Sequence, residues 1–146
     1  MSEPEVRSRY EVKLEKYNKL VNIEARVMQR MAHRTYLPAI NAFARETAEG
    51  LQVFKAASPS GKVRQQQSLL DALLEGIDRI DLALSAMEAR MDEACAIEDQ
   101  QERANHNAHV LLPAMERLRA EVDAVEGIVG RDRWPVPSYN NMLFYV

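Results

Sequence analysis

Apolar side chains recur at alternating intervals of three and four residues along most of this chain, which is the spacing of one face of an α-helix. The first such stripe lies between Arg9 and Phe54, and only Glu24 interrupts it with a charge. Because no Gly or Pro occurs between Val6 and Leu37, the pattern predicts one long helix over residues 3–56. The stripe consists of Tyr10, Leu14, Tyr17, Val21, Met28, Met31 and Thr35.

Two prolines fall inside helical patterns and predict bends. Pro38 has no backbone N–H, so the carbonyl of Arg34 loses its helical partner and the first helix is expected to kink there. Pro113 predicts a similar kink in the last helix. The tetrapeptides LPAI at Leu37 and LPAM at Leu112 look alike, but their flanks do not align. We interpret them as two kinks and not as an internal repeat.

Two further stripes predict a helix over residues 62–98 and another over residues 100–129. Ser, Pro and Gly cluster at residues 56–62 and mark the turn before the second helix. Capping boxes are expected at Ser2 and Glu5 and at Asp99 and Glu102, and Gly130 is expected to cap the last helix. The second stripe runs through Leu70, Leu73, Ile77, Ile80, Leu84, Met87, Met91 and Ala94, and the third through Ala104, Ala108, Leu111, Met115, Leu118, Val122, Val125 and Val129.

The last segment, residues 131–146, has a different composition. Pro135 and Pro137 restrict the residues before them to extended geometry, and most of the residues that follow are apolar or aromatic. Such a composition is not that of a disordered tail, so we expect Trp134 and the aromatics after it to dock. The predicted fold is therefore all-α: a single domain, residues 1–146, forming an antiparallel bundle of three long helices with an extended C-terminal tail. The first helix makes two segments if its kink at Pro38 counts as a break.

Charge is unevenly distributed along the 146 residues, although the net charge is only −3. Residues 1–64 carry 12 Lys or Arg and 7 Asp or Glu, whereas residues 65–130 carry 5 and 14. We expect a basic helix to pack beside two acidic ones. A nucleic-acid partner is not expected, because the basic part lacks interleaved aromatics and Gly-rich loops.

The single cysteine and the hydropathy pattern bear on location. Cys95 has no partner for an internal disulfide, which fits a reducing cytosol, and its apolar helical surroundings predict a small core residue. No apolar run approaches the length of a membrane span, and the N-terminus has no signal-peptide core. A soluble, cytoplasmic protein without a membrane partner is expected.

The best candidate cluster for chemistry is Glu102, His106 and His109, with Asp99 and Cys95 nearby. This spacing occurs in metal sites. If Ala104 and Ala108 face the core, however, both histidines point outward, and the Glu-x-x-His motif of di-iron bundles is missing. We interpret the cluster as polar surface, and a metal-dependent enzyme acting through Glu102 and His106 stays an alternative.

Glu24 and His33 are candidates for a function only if other residues act together with them. Glu24 lies on the apolar stripe, where a carboxylate is costly unless it is paired, so a buried ion pair or an edge position is expected. A lone carboxylate supports no acid–base role. His33 has the helical setting of a phosphorelay histidine but nothing else that indicates one. The sequence therefore assigns no catalytic, cofactor-binding or metal-binding residue.

Both ends of the chain resemble one protein family. The opening run SRYEVKLEKYNKLVNIEARVMQRMAHRTYLPA resembles the start of the C-terminal helical domain of type III glutamine synthetases. The final WPVPSYNNMLF is similar to that family's closing segment, WP-x-P-(T/S)-Y-x-x-(M/L)-LF. The two matches occur in the right order and at the right ends, so the resemblance spans essentially the whole chain.

The resemblance implies a structural or assembly role. The family joins ammonia to glutamate with ATP and magnesium or manganese, in a catalytic domain that precedes the segment matched here, and it assembles as two stacked hexameric rings. None of its catalytic residues has a counterpart in this chain, so we expect the isolated segment to be inactive and to hold no cofactor. The expected partners are the catalytic domain or other subunits, including another copy bound through Tyr10, Leu14 and Tyr17. A stand-alone helical adaptor or regulatory protein is the alternative.

Overall fold

Helices make up nearly all of residues 3–137, the part of the chain that the structure, a computed structural model, describes. No strand occurs among these residues, and the predicted all-α, bundle-like fold is confirmed. In chain order the elements are α1 (Glu3–Met31), a first π-helical segment (Ala32–Tyr36), α2 (Leu37–Ala57), α3 (Arg64–Ala96), α4 (Gln100–His106), a second π-helical segment (Asn107–Leu111), α5 (Leu112–Glu126) and a 3-10 turn (Arg131–Arg133).

Each of the two Leu-Pro sequences is preceded by five π-helical residues. The amide of Leu37 donates to the carbonyl of Ala32, and the amide of Leu112 donates to that of Asn107, in both cases five residues back. A proline ring clashes with the carbonyl four residues before it, and its nitrogen has no hydrogen to donate. The wider π turn accommodates this proline, so that residues 3–57 and 100–126 stay helical without interruption.

The described residues pack as two compact units. Unit 1 contains the residues up to Arg30 together with Leu82–Ala120. Along α1 from Asn22 to Gln29 the hydrogen-bonded partners on α3 descend from Cys95 to Glu88, so these two helices are antiparallel. The apolar core of this unit is formed by Val21, Ala25, Ala83, Leu84, Met87, Met91, Ala94, Ala104, Leu111, Met115 and Leu118.

Unit 2 contains Met31–Asp81 together with the residues from Glu121 onward. Here α3 and α5 are antiparallel, because Arg79 pairs with Glu121 at 2.9 Å while Gly76 lies against Val125 one turn away. The apolar core consists of Ala32, Ile40, Ala44, Leu51, Leu73, Ile80, Val122, Val125 and Val129. The interpretation of the chain as a single domain stays a prediction.

Only part of the apolar stripe predicted for α1 coincides with the buried face of this helix. The buried residues of α1 are Asn18, Val21 and Ala25, followed by Ala32 in the π-helical segment. Tyr10 is 51% exposed, and Glu24 is also exposed, which excludes the buried ion pair and agrees with the edge position that the sequence allowed. The large side chains at positions 10, 14 and 17 lie to one side of the contact, because small alanines and one asparagine allow the neighbouring helices to approach more closely.

Several helix ends differ from those predicted. Asp99 accepts a hydrogen bond from the amide of Glu102 at 2.8 Å and caps α4, as predicted. The last helix ends at Glu126, three residues earlier than expected, and Gly130 has φ −56° and does not cap it. Gly127 follows Glu126 directly, and glycine disfavours a helix. The predicted extended tail from 131 begins instead with the 3-10 turn, and the Ser2 cap falls outside the described residues.

No helix within residues 3–137 is long and apolar enough to cross a membrane.

Candidate functional site

Three amide side chains form the most enclosed polar cluster of unit 1. Asn18 of α1 is 4% exposed and Asn107 is 2% exposed, and the Nδ2 of Asn107 donates to the Oδ1 of Asn18 at 3.0 Å. The Nδ2 of Asn18 in turn donates to both the backbone carbonyl and the Oε1 of Gln100, each at 2.9 Å. The Oδ1 of Asn107 is buried without a partner among the described residues. A directional network therefore fixes α1 against the α4 region.

A groove of about 410 Å³ opens beside this cluster. Arg103 is held on its rim by the carbonyl of Ile97, at 2.8 Å from Nε. On α1, Lys19 pairs with Glu15, one helical turn away. This pairing lowers the pKa of the exposed Glu15 carboxyl, mainly through the hydrogen bond and to a smaller extent through the positive charge of Lys19. The groove is lined by Glu15, Asn18, Lys19, Asn22, Ile23, Ala94, Cys95, Gln100, Arg103 and Asn107.

Cys95 lies at this groove and not in the core. Its side chain is exposed, and its Sγ accepts a hydrogen bond from the Nδ2 of Asn22 at 3.6 Å. The expectation of a small core residue was wrong, because the heptad stripe of α3 passes through Met91 and Ala94 and leaves position 95 beside it. Its neighbours are amides and not a general base, so the geometry gives it no nucleophilic role.

The candidate metal cluster is divided by the structure. Asp99 serves as the cap of α4, Glu102 and His109 are exposed, and Cys95 contacts α1. His106 was expected to point outward, but its side chain is 15% exposed and packs on α3, with Nε2 at 3.2 Å from the carbonyl of Arg90 and 3.7 Å from a carboxylate oxygen of Glu93. The buried positions are Ala104 and Asn107, whereas Ala108 is only half-buried, so the buried side of the helix is rotated toward His106 relative to the prediction.

No group of three or more His, Cys, Asp or Glu side chains in the described part of the chain is arranged to hold a metal ion. That this segment uses no metal or nucleotide stays a prediction. His33, the other candidate histidine, is exposed and takes part in an interaction of its own.

Unit 2 contains a stacked aromatic pair outside its core. Trp134 stacks on Tyr36, with ring centroids 5.3 Å apart and planes inclined by 25°. Burial raises the pKa of Tyr36, and the negative charges of Glu126 and Asp123 raise it further. Arg133 pairs with Glu46 at 3.1 Å and holds the turn before Trp134 on α2. The expected docking of Trp134 is confirmed, whereas Leu143 and Phe144 lie outside the described residues.

Sequence reasoning missed the cluster of Asn18, Gln100 and Asn107. A signal was present, because Asn18 stands three residues before Val21 and Asn107 stands three residues after Ala104, both at core spacing. An asparagine at such a position is costly unless its amide is paired. Two of them on different predicted helices thus indicated a mutual hydrogen bond.

Comparison with known proteins gives one consistent family. The family described as "Glutamine synthetase C-terminal domain" matches residues 1–55. The type-3 glutamine synthetase of Dictyostelium discoideum is 28% identical over 148 aligned positions, covering 99% of this chain and 20% of that protein. The glutamine synthetases of Butyrivibrio fibrisolvens and Bacteroides fragilis are 25% and 26% identical over 96% and 98% of the chain, again 20% of each relative. The chain spans about a fifth of these relatives, and the resemblance inferred from the sequence is confirmed.

Proposed function

Because residues 1–55 match the family of glutamine synthetase C-terminal domains and nearly the whole chain is similar to a fifth of a type-3 glutamine synthetase, we propose that it is the structural domain of such an enzyme. Its role is to pack on the catalytic domain and to support subunit assembly. The observation that carries this proposal is the similarity over 99% of the chain to one fifth of a full synthetase. The parent reaction, the ATP-dependent joining of ammonia to glutamate, belongs to the remaining four fifths.

The nucleotide and the divalent cation are accordingly bound by the catalytic domain and not by this segment. The described residues offer no set of metal donors, and the two units are built as packed helices. The groove beside Asn18 is lined mostly by amides and apolar groups, and its two cations, Lys19 and Arg103, are paired with Glu15 and with the carbonyl of Ile97, which suits helix registration better than the binding of a triphosphate. The single, unpaired thiol of Cys95 agrees with a cytoplasmic location for the whole enzyme.

The first turns of α1 form the surface proposed for assembly. Residues 3–13 are all exposed, and the hydroxyl group of Tyr10 donates to the side-chain Oε1 of Gln101. Leu14 and Tyr17 are half-buried. We assign the side of α1 that bears Tyr10, Leu14 and Tyr17 to the catalytic domain in a full-length synthetase, and to another copy when the segment is alone. An apolar helix end of this kind is marginal in water unless a partner covers it.

Activity measurements test the structural role directly. We expect the isolated chain to form no glutamine from ATP, ammonia and glutamate above a no-protein control. A chimera of the Bacteroides fragilis enzyme, with its C-terminal fifth replaced by this chain, is expected to assemble and to regain activity lost on deleting that fifth. Glutamine formation by the isolated chain, or a chimera that stays dissociated like the deletion, contradicts the proposal.

The assembly surface is tested with Leu14→Asp combined with Tyr17→Asp. We expect light scattering after size exclusion to show an oligomer for the unmodified chain at tens of micromolar, and a smaller species for this variant with unchanged helicity. Val53→Asp combined with Phe54→Asp is the matched control, because these side chains are exposed on α2. Equal dissociation by both variants means that no specific surface is involved.

A further inference from the structure

A second apolar stripe runs along α1, on the side away from the buried residues Asn18, Val21 and Ala25. Its four large side chains follow intervals of eight, three and four residues, which place them on one side of an α-helix. All four are exposed, so unit 1 leaves this stripe uncovered. We name it the outer stripe, and it consists of Val12 (60% exposed), Leu20 (52%), Ile23 (59%) and Val27 (48%).

Basic side chains surround the outer stripe. No carboxylate between residues 9 and 30 lies among them, and Glu24 stands only at the border. Lys13 and Lys16 take part in no ion pair or hydrogen bond among residues 3–137, so their charges are available to a partner. The exposed basic residues of this side are Lys13, Lys16 and Arg30, together with Arg9 and Lys19, which are paired with carboxylates of α1 itself.

The outer stripe borders the groove beside Asn18. Ile23 belongs to both, and Ala94 of α3 continues the apolar lining of the groove, whose volume is about 410 Å³. Side chains of one helix pack best where a neighbouring helix offers such a groove beside a ridge. A helix that lies along residues 12–27, over about 22 Å, can therefore cover the stripe and insert an apolar side chain into the groove.

We propose that the outer stripe is the docking site of an amphipathic helix with acidic flanks, contributed by the part of a synthetase that lies outside this chain. The exposed apolar side chains give affinity, and the cations around them select carboxylates. A second copy that offers the same stripe is a poor partner, because its cations would face like charges. The cover is therefore an apolar surface flanked by acids.

The source of the helix rests on the proposed function, since the chain spans only a fifth of its relatives. The outer stripe lies on another side of α1 from Tyr10, Leu14 and Tyr17, so α1 has a partner on two sides in the assembled enzyme. The chemistry of the docking site does not depend on that source and is tested first, on the isolated chain.

Two fluorescent helical peptides test the chemistry. Both have the same leucine stripe on an alanine background, and their flanks carry either glutamates or lysines. By fluorescence anisotropy we expect the isolated chain to bind the glutamate peptide at least about tenfold more tightly, with an affinity that falls as salt is added. Leu20→Asp with Ile23→Asp is expected to abolish this binding. Val53→Asp with Phe54→Asp, at exposed residues of α2, is the matched control and is expected to bind normally.

Charge reversal tests the selection of carboxylates. Lys13→Glu with Lys16→Glu is expected to weaken binding of the glutamate peptide and to strengthen binding of the lysine peptide, whereas Lys62→Glu with Arg117→Glu makes the same change of net charge at exposed residues elsewhere and leaves the preference unchanged. Equal binding of both peptides, or binding of neither, overturns the proposal. So does binding to phosphatidylglycerol vesicles in place of the peptide, or self-association of the isolated chain that Leu20→Asp with Ile23→Asp removes.

Cysteine labelling in the Bacteroides fragilis chimera tests the source of the helix. Leu20→Cys, in a Cys95→Ser background, is expected to react with a water-soluble maleimide at least about tenfold more slowly in the assembled chimera than in the isolated chain, as read by mass spectrometry of the labelled peptide. Val53→Cys is the control and is expected to react equally in both. Equal rates for Leu20→Cys in an assembled chimera overturn the proposed source. A chimera that does not assemble contradicts the proposed function instead, and the peptides then decide the chemistry of the docking site alone.

Discussion

The interiors of the two units use different chemistry. Both buried polar side chains of the described residues, Asn18 and Asn107, lie in unit 1, where they bond to each other at 3.0 Å. Unit 2 buries only apolar residues and Gly76, and it brings two helices so close that a Cβ on Gly76 would lie 2.5 Å from Cγ2 of Val125. A buried amide pair fixes the register of two helices at some expense of stability, whereas close apolar packing stabilises the fold.

This difference has a functional counterpart. The polar interior of unit 1 lies next to the side of α1 proposed for assembly. There the orientation of the helix decides which side chains face a partner. Unit 2 instead anchors the chain after α5 through Trp134 and Tyr36. We infer that unit 1 is built for precise presentation of α1 and unit 2 for stability.

The largest expected effect comes from removing apolar volume in unit 2. Ile80 is fully buried, so Ile80→Ala is expected to lower the free energy of unfolding by about 2–5 kcal/mol. Urea denaturation followed by circular dichroism measures this change. Val53→Ala, at a residue that is 64% exposed, is the control and is expected to change stability by less than about 0.5 kcal/mol. Similar losses for both substitutions contradict the apolar account of unit 2.

The close approach at Gly76 predicts the next largest effect. Gly76→Ala adds helix propensity, about 1 kcal/mol, but its methyl group overlaps buried Val125, and overpacking costs about 1–3 kcal/mol. We expect a net destabilisation that the second substitution Val125→Ala partly relieves. Gly50→Ala is the matched control, because a Cβ there meets no atom within 4 Å, and it is expected to stabilise α2. Stabilisation by both substitutions means that the helices of unit 2 are less tightly packed.

The amide pair of unit 1 predicts a non-additive effect. Asn107→Leu alone leaves the Oδ1 of Asn18 buried without a donor and is expected to cost about 1–3 kcal/mol. Replacing both residues by Leu removes this donor and acceptor together and leaves only the part-buried acceptors of Gln100 without a donor, so we expect the double variant to lose less stability than the two single losses combined. A double-mutant cycle measures the coupling. Additive losses contradict the view that the pair provides register more than stability.

The structure also shows which of the buried helix faces could be predicted from the sequence. The stripes of α3 and of the last helix were predicted correctly, because large apolar residues repeat there at regular helical spacing, from Leu73 to Met91 and from Leu111 to Val125. The first stripe was misplaced because α1 carries apolar residues on more than one side, including exposed Val12 and Leu20. Hydrophobicity alone favours a tyrosine over an alanine, yet Ala25 is the residue that fits the contact.

Contacts between distant residues explain the other differences. Helix propensity alone makes Gly76 a weak point of α3, and only Val125, 49 positions later, gives a reason for a glycine there. His106 was placed outward on an ideal helix, and the π-helical segment that follows it was not anticipated. The prolines that accompany both π segments were recognised, but a missing N–H does not by itself distinguish a kink from a wider turn.

The smallest expected effect concerns the aromatic pair of unit 2 and its response to pH. Burial and the negative charges of Glu126 and Asp123 raise the pKa of Tyr36 above its usual value near 10. From pH 10 upward the unfolded chain therefore loses this proton before the folded chain does. The stabilisation is complete below pH 10 and is lost as the pH rises through the raised pKa. The effect is modest, since the phenol is only partly buried.

Tyr36→Phe isolates this contribution. We expect the unmodified chain to lose stability between pH 9 and 11 more steeply than the Phe variant, in urea titrations followed by the fluorescence of Trp134, the only tryptophan. The variant keeps the stacked ring, so Trp134 emission at pH 8 is expected to stay blue-shifted in both proteins. Tyr10→Phe, which removes an exposed phenol from unit 1, controls for the loss of a tyrosine. Equal pH slopes for the unmodified chain and Tyr36→Phe mean that neither burial nor the carboxylates of α5 raise the pKa of this ring, and the stack then contributes through apolar contact alone.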